Sequence, residues 1–411
     1  MKKTVLRKYA RLIAVLGANV QKGQEVVISA ELDQPEFVQM VVEECYRCKA
    51  KKVTVEWSYQ PLAKVHNRWQ SVKTLGTLDP VNEARWKHMA EVLPARIYLI
   101  SEDPDGLKGI NQKKKGQAEQ MLYPAIKSYR DAMENKYQWC IAAVPGKAWA
   151  KKVFPSLRPA AAQEELWKAI LRTCRISWED PEDDPVKNWE EHNRTLKEHC
   201  ARLNAVRPVK LHYYAGNGTD LTVGLIPEGR FCGGSEDTLG GVTFQPNMPT
   251  EECFTSPKAG EADGIVYATK PLCYRGLLIE NFWIRFENGR AVEWHADKND
   301  ALLGQLIGMD EGSACLGECA LVPNSSPISQ SSLLFYNTLF DENAACHLAL
   351  GMGFADCIEG FQEKTLEECR ALGVNDSMVH EDFMIGYDGL NIDAVCADGS
   401  AVPVFRGGEW A

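Results

Sequence analysis

QEVVISAELDQPEFVQMVVEECYRCKAKKVTVEWS, Gln24 to Ser58, decides the first half of the fold. Its opening run, Gln24 to Ala30, is short, apolar and rich in β-branched residues, the composition of a buried strand. From Pro35 to Ala50 the apolar residues recur at helical spacing. Proline suits a first helical turn, where the N–H it lacks has no partner to lose. Lys51 to Ser58 is β-branched again. Strand, helix, strand at this spacing favours a mostly parallel sheet with helices on both faces.

The pattern continues to either side. Val5, Leu6, Tyr9, Leu12, Ile13 and Leu16 mark a helix over residues 4–18. Ala95 to Ile100 and Gln138 to Gly146 read as further strands. Between them runs a long helical stretch, QAEQMLYPAIKSYRDAMEN, which Pro124 kinks or restarts. The reading is an α/β N-terminal domain. No GxGxxG follows the first strand and no GxxxxGK[ST] occurs, so the fold class alone assigns no nucleotide.

Two more helical stretches follow, AAAQEELWKAILRTC and the charged DDPVKNWEEHNRTLKEHCARLNAV, the second polar over most of its length as a solvated connector would be. A domain boundary is expected near residue 200, giving domains 1–200 and 201–411. Beyond it the pattern turns β-rich. VKLHYYAGNGTDLTVGL alternates and turns at Gly216-Asn217-Gly218, and Asn288-Gly289 separates two alternating runs, a strong hairpin signal. Glycines gather at Gly229, Gly233, Gly234, Gly240 and Gly241. A curved antiparallel sheet or open barrel is expected here, a β-rich α+β domain. Its few helices include one from Asp341 through DENAACHLALGMG and one over Thr365 to Gly373.

With 411 residues, 45% hydrophobic and 25% charged, the chain is globular and longer than one core usually holds. Lys plus Arg is 46 against 56 Asp plus Glu, a net charge of -10, which argues against a nucleic-acid partner. The N-terminal apolar stretch is interrupted by Arg7, Lys8 and Arg11, and no window resembles a signal peptide or a membrane span. A cytoplasmic protein without membrane attachment is expected, and its 14 cysteines read as reduced thiols. The Cys45–Cys48 pair lies late in a helix, with no second pair nearby to complete a zinc site.

Neither HExxH nor GxSxG occurs, so the chemistry must be assembled from separate blocks. In NMPTEECFTSP, Glu251 and Glu252 are adjacent, so only one can face a given pocket from an extended segment. By spacing alone this is a charged loop. In LGECALV, Glu318 sits inside an apolar run that reads as a buried strand, where a carboxylate needs a cation, a metal or a donor network. In FDENAACHLALG, Glu342 and His347 stand five apart, and His347 on a helix among small apolar residues reads first as a core histidine. In VNDSMVHEDFMIG, His380 and Asp382 share one side of a strand, a credible metal corner. Glu252, Glu318, His347, His380 and Asp382 together are what two divalent ions about 3.5–4 Å apart require. Oxygen and imidazole donors suit zinc, cobalt, manganese or magnesium.

In this order the blocks resemble the aminopeptidase T / aminopeptidase S family of dinuclear metallo-aminopeptidases, also called thermophilic aminopeptidases. The resemblance runs from LIAVLGANVQKGQEVVI through NGTDLTVGL, NMPTEECFTSP, LGECALVP, NTLFDENAACHLALG and NDSMVHEDFMIG to the final GGEW. It implies an α/β N-terminal domain, a β-rich C-terminal domain carrying the site, and a homodimer whose sites face an enclosed space. It implies removal of N-terminal residues from peptide substrates by a water that two divalent ions activate. The family's metal ligands fall on Glu252, Glu318, His347, His380 and Asp382, and Glu342 is carried over as the adjacent acid, a proton shuttle or extra ligand. The family usually has glycine where this chain has Glu251, which leaves Glu252 in the ligand position. Phe354 aligns with a tyrosine found near the metals in many members, so Tyr387 or water would have to supply any phenol function. Two rival readings are a dinuclear hydrolase of another class, such as a phosphoesterase, and a metal-binding member of weak or no activity. The first would want cations around the metals, and Arg and Lys are sparse in the four blocks. Cys253, Cys315, Cys319 and Cys346 adjoin the ligand blocks, where thiols could capture soft metals or oxidise.

Overall fold

The computed structural model describes residues 1–411. The chain divides into two compact units: Met1–His192 with Ser235–Pro249, and Asn193–Gly234 with Thr250–Ala411. A single cut near residue 200 does not describe this division, because Ser235–Pro249 returns to the first unit. The return adds a short strand, Asn247–Met248, parallel to Trp139–Ala143.

The first unit holds a five-stranded parallel sheet in the order Lys52–Ser58, Glu25–Glu31, Ala95–Ile100, Trp139–Ala143, Asn247–Met248. Its central strands bury alternate residues most fully, Val26, Ile28 and Ala30 on one and Ala95, Ile97 and Leu99 on the next. The N-terminal helix Lys3–Leu12 runs into a wider π turn over Ile13–Gly17. Gly17 is required there, because a Cβ would stand 2.7 Å from the Cys140 Sγ on the sheet. Tyr9 packs against Phe37 and Trp167, and its hydroxyl both donates to the Ala143 carbonyl and accepts from the Ala143 N–H, each at 3.2 Å. One helix, Gln112–Met133, passes through Pro124 without restarting.

Three helices that the sequence pattern left unassigned, Gln60–Trp69, Val72–Leu75 and Pro80–Val92, join the second strand to the third. Gln60–Trp69 buries only Asn67, so it carries no inward apolar stripe for periodicity to detect.

The second unit contains a nine-stranded antiparallel sheet and a four-stranded antiparallel one. In the larger, Lys210–Tyr214 and Asp220–Leu225 form the expected hairpin, as do Leu277–Glu287 and Arg290–Lys298. Asn288 and Gly289 turn the latter with φ of 49° and 75°, the pair of positive values that a tight hairpin of this twist demands. The smaller sheet runs Cys253–Thr255, Leu316–Leu321, His347–Gly351, His380–Met384. Here the helix expected over DENAACHLALGMG is corrected. Only a helical turn forms, over Thr338–Asp341 and Glu342–Ala344, and His347–Gly351 is a strand. Every residue of that strand is buried, and a short run without polar alternation cannot be told from a buried helix by its period.

Candidate metal centre

The ladder of the smaller sheet gathers the candidate ligands. Ala349 is flanked by Glu318 on one neighbouring strand and Asp382 on the other. His347 stands opposite Ala320 and Met384, and Gly351 opposite His380. Residues two apart on a strand, with their cross-strand partners, share a face. Glu318, His347, His380 and Asp382 therefore project to one side, over the small Ala349 and Gly351, which leave room between them. A bulge between Leu316 and Glu318 adjusts the aim of Glu318. It needs Gly317, since a Cβ there would stand 2.2 Å from the Met352 carbonyl oxygen. Glu252 joins from the residue preceding the Cys253–Thr255 strand.

The distances are those of a donor cluster. His380 Nε2 is 3.0 Å from Glu318 Oε2 and 3.4 Å from Asp382 Oδ1. His347 Nε2 is 3.4 Å from Glu252 Oε2 and 4.0 Å from Asp382 Oδ1. Each Nδ1 faces a backbone carbonyl, Ala345 at 3.1 Å and Met352 at 2.7 Å. That contact favours the tautomer protonated at Nδ1 and leaves Nε2 as a lone-pair donor, the usual support for a ligating imidazole. Two donor groups result, Glu252–Glu318–His347 and Glu318–His380–Asp382, each with its atoms within 4.8 Å of one another. Glu318 belongs to both. Asp382 Oδ1 is buried without a hydrogen bond. An oxygen so placed is costly unless a cation meets it, so the residues present fit divalent ions.

The flanking cysteines belong to neither donor group. Cys319 and Cys346 each follow or precede a candidate ligand by one residue on a strand or at its edge. Alternation sends them the other way: Cys346 Sγ lies 3.4 Å from the Val322 carbonyl, and Cys319 bonds Tyr213. Cys253 Sγ reaches the Leu196 carbonyl at 3.5 Å.

Charge is concentrated in this buried space. Burial pushes the Glu318 carboxyl up to about 7, the His380 bond pulls against it, and the Asp382 charge adds to it. Burial disfavours the imidazolium of His347, but the Glu252 bond and the Asp382 charge outweigh it and carry the group up to about 9. Burial likewise opposes His380, and Asp382 and Glu318 raise it well above the usual imidazole range. Asp382, despite burial, is held at about 2 by His380 and His347. Burial drives Glu342 well above the carboxylate range, and the charges of Asp382, Glu252 and Glu318 reinforce it. Without ions the cluster thus holds protons on its imidazoles; divalent cations would take their place.

Around these groups lie Thr250 and Asn343, which no spacing singled out, and the Phe354 and Tyr387 that the family resemblance raised. Thr250 Oγ1 donates to Glu252 Oε1 at 3.1 Å. Asn343 accepts from the Glu251 N–H at 2.7 Å and donates to Glu342 Oε1 at 3.3 Å. Phe354 packs on the His380 imidazole, with centroids 4.8 Å apart, and edge-on against Phe254 at 5.5 Å. The Tyr387 hydroxyl accepts from the Asn217 N–H at 3.2 Å, in the turn before the Asp220–Leu225 strand.

The sequence profile of the thermophilic metalloprotease (M29) family matches residues 2–410. The chain belongs to that family. Aminopeptidase AmpS of Bacillus subtilis (strain 168) is 41% identical over 407 residues, covering 99% of this chain and 98% of its own. Aminopeptidase T of Thermus aquaticus is 38% identical and covers 98% of each chain. Among M29 structures, wild-type AmpT from Thermus thermophilus superposes with a TM-score of 0.86 at 37% identity, covering 100% of this chain and 99% of its own. The parallel α/β sheet, the β-rich remainder and the metal-binding candidates within that remainder are the architecture the sequence led us to expect. As an M29 metalloprotease, the chain is a hydrolase of peptide bonds.

Proposed function

We propose that this chain is a metal-dependent aminopeptidase that releases N-terminal residues from peptides at a site holding two divalent ions. The observation that carries the reading is Glu318, shared by two donor groups with an imidazole in each. Glu252 and His347 would hold one ion, His380 and Asp382 the other, and Glu318, common to both groups, would serve both. Divalent ions bound there would supply an acidified water and a polarised carbonyl, the chemistry that amide hydrolysis needs. The protein's own part is to fix the donors, hold the imidazoles by their Nδ1 sides and exclude water. Glu342, buried and protonated more readily than an ordinary carboxyl, is placed to accept a proton and pass it to the departing amine. Zinc, cobalt, manganese and magnesium all suit the oxygen and imidazole set.

The reading extends to the protein's setting. All 14 cysteines are free thiols, which supports a reducing, cytoplasmic location. No helix is long and apolar enough to cross a membrane. Leu62, Val65 and Trp69 form one exposed face of the Gln60–Trp69 helix, with Trp69 77% exposed, which supports burial against a second copy in a homodimer. Light scattering on the purified protein tests the dimer.

The activity is tested by elemental analysis of protein purified without chelator, with hydrolysis of aminoacyl-nitroanilides, their N-acetylated forms and a phosphodiester. Two ions per chain and hydrolysis of free-amine substrates alone are expected. Ion binding with phosphodiester turnover and no amide hydrolysis would overturn the reading.

A further inference from the structure

Asn343 is fully buried, and every hydrogen-bonding group of its side chain is engaged. Its Oδ1 accepts from the Glu251 N–H at 2.7 Å, and its Nδ2 donates to the Leu339 carbonyl at 3.0 Å and to Glu342 Oε1 at 3.3 Å. The amide has only one workable orientation. Flipped, it would set an NH2 against an N–H and an oxygen against two acceptors. Its backbone is fixed as well, since Ser326 Oγ donates to the Asn343 carbonyl at 2.9 Å. One small side chain therefore touches both the residue preceding Glu252 and the acid Glu342.

We infer that Asn343 is a positioning residue that sets two parts of the site at once: its oxygen holds the backbone presenting Glu252, and its amide holds the Glu342 carboxyl. The donor and the acceptor do different work and can be separated. Asn343→Asp keeps an acceptor for the Glu251 N–H and puts an oxygen where the donor to Glu342 stood. Asn343→Leu removes both ends at similar size. The inference rests on the aminopeptidase reading of the site, with Glu342 as the proton carrier.

The test measures ion content, kcat and KM on the full chain for wild type and both variants. Asn343→Asp is expected to keep wild-type ion content while kcat falls about ten- to a hundredfold, the usual cost of losing a supporting partner at a metal site. Its KM stays within about threefold, because substrate binding is untouched. Asn343→Leu is expected to lose ions as well as kcat. Wild-type kcat in Asn343→Asp overturns the inference, and so does a fall of kcat and ion content in equal proportion in that variant, the mark of a merely structural role. Full ion content in Asn343→Leu removes the Glu252 half. If Asn343→Leu fails to fold, Asn343→Asp alone decides. Ion binding by wild type without peptide hydrolysis would end the aminopeptidase reading instead, while the ion contents of the variants still test the hold on Glu252.

Discussion

Replacing Glu318 by glutamine should stabilise the ion-free protein and destabilise the loaded one. Glu318 is 4% exposed and its carboxyl is pushed from 4.5 up to about 7, chiefly by burial. An acid whose folded-state pKa lies above its unfolded value weakens the fold when ionised. The penalty is absent below about pH 4.5, grows as pH rises toward 7, and is complete above 7. At about 1.4 kcal/mol per pH unit, that gap amounts to about 3 kcal/mol. Glutamine keeps the shape and cannot ionise, so ion-free Glu318→Gln at pH 8 should melt higher than ion-free wild type, on the order of 5–10 °C for a unit of this size. The difference should vanish near pH 4.5. With zinc or cobalt at about a thousand times Kd the order reverses, because wild type gains about 4.1 kcal/mol of binding energy that the variant has lost. Activity should drop by at least about two orders of magnitude with the ions. Calorimetry on chelator-treated and reloaded samples reads both halves. A chelator-treated variant melting at or below wild type at pH 8 would refute the burial argument, and full activity with full ion content would remove Glu318 from the site.

Glu252→Gln is expected to abolish ion binding while Glu251→Gln leaves it intact, because only Glu252 belongs to a donor group; elemental analysis of the two proteins decides. Ion binding should expel protons at pH 7.5, since His347 carries one up to about 9 in the ion-free state and must surrender it to act as a ligand. Affinity then rises with pH toward that value, and titration heats that do not change between buffers of different ionisation enthalpy would contradict it. Phe354→Tyr places a hydroxyl beside His380, and a lost donor of that kind typically costs about 10²–10³ in rate. Turnover should therefore increase with unchanged ion content; an unchanged kcat would show that the ring position contributes no donor.

The legible parts of this protein were those where one chemical type dominates a short run. The strands Glu25–Glu31 and Ala95–Ile100 announce themselves through β-branched and apolar residues, and Glu318 through its place inside an apolar run. The structure brings Glu252, Glu318, His347, His380 and Asp382 into one cluster, though only His380 and Asp382 were placed together by spacing. What stayed hidden depends on partners distant in sequence. The strand nature of His347–Gly351 follows from neighbours on both sides, not from its own period. Gln60–Trp69 is helical with almost nothing buried to mark it. Asn343 looks like any polar residue until the Glu251 backbone, 92 residues away, arrives at its oxygen.

The return of Ser235–Pro249 to the first unit has a consequence for how the chain is made. The parallel sheet gains its last strand only when Met248 has left the ribosome, after residues 193–234 of the second unit have already emerged. Throughout that interval the strand Trp139–Ala143 has no neighbour on one side. A nascent chain paused before Ser235 therefore displays an open row of backbone donors and acceptors, the surface that pairs with foreign strands and that chaperones exist to cover.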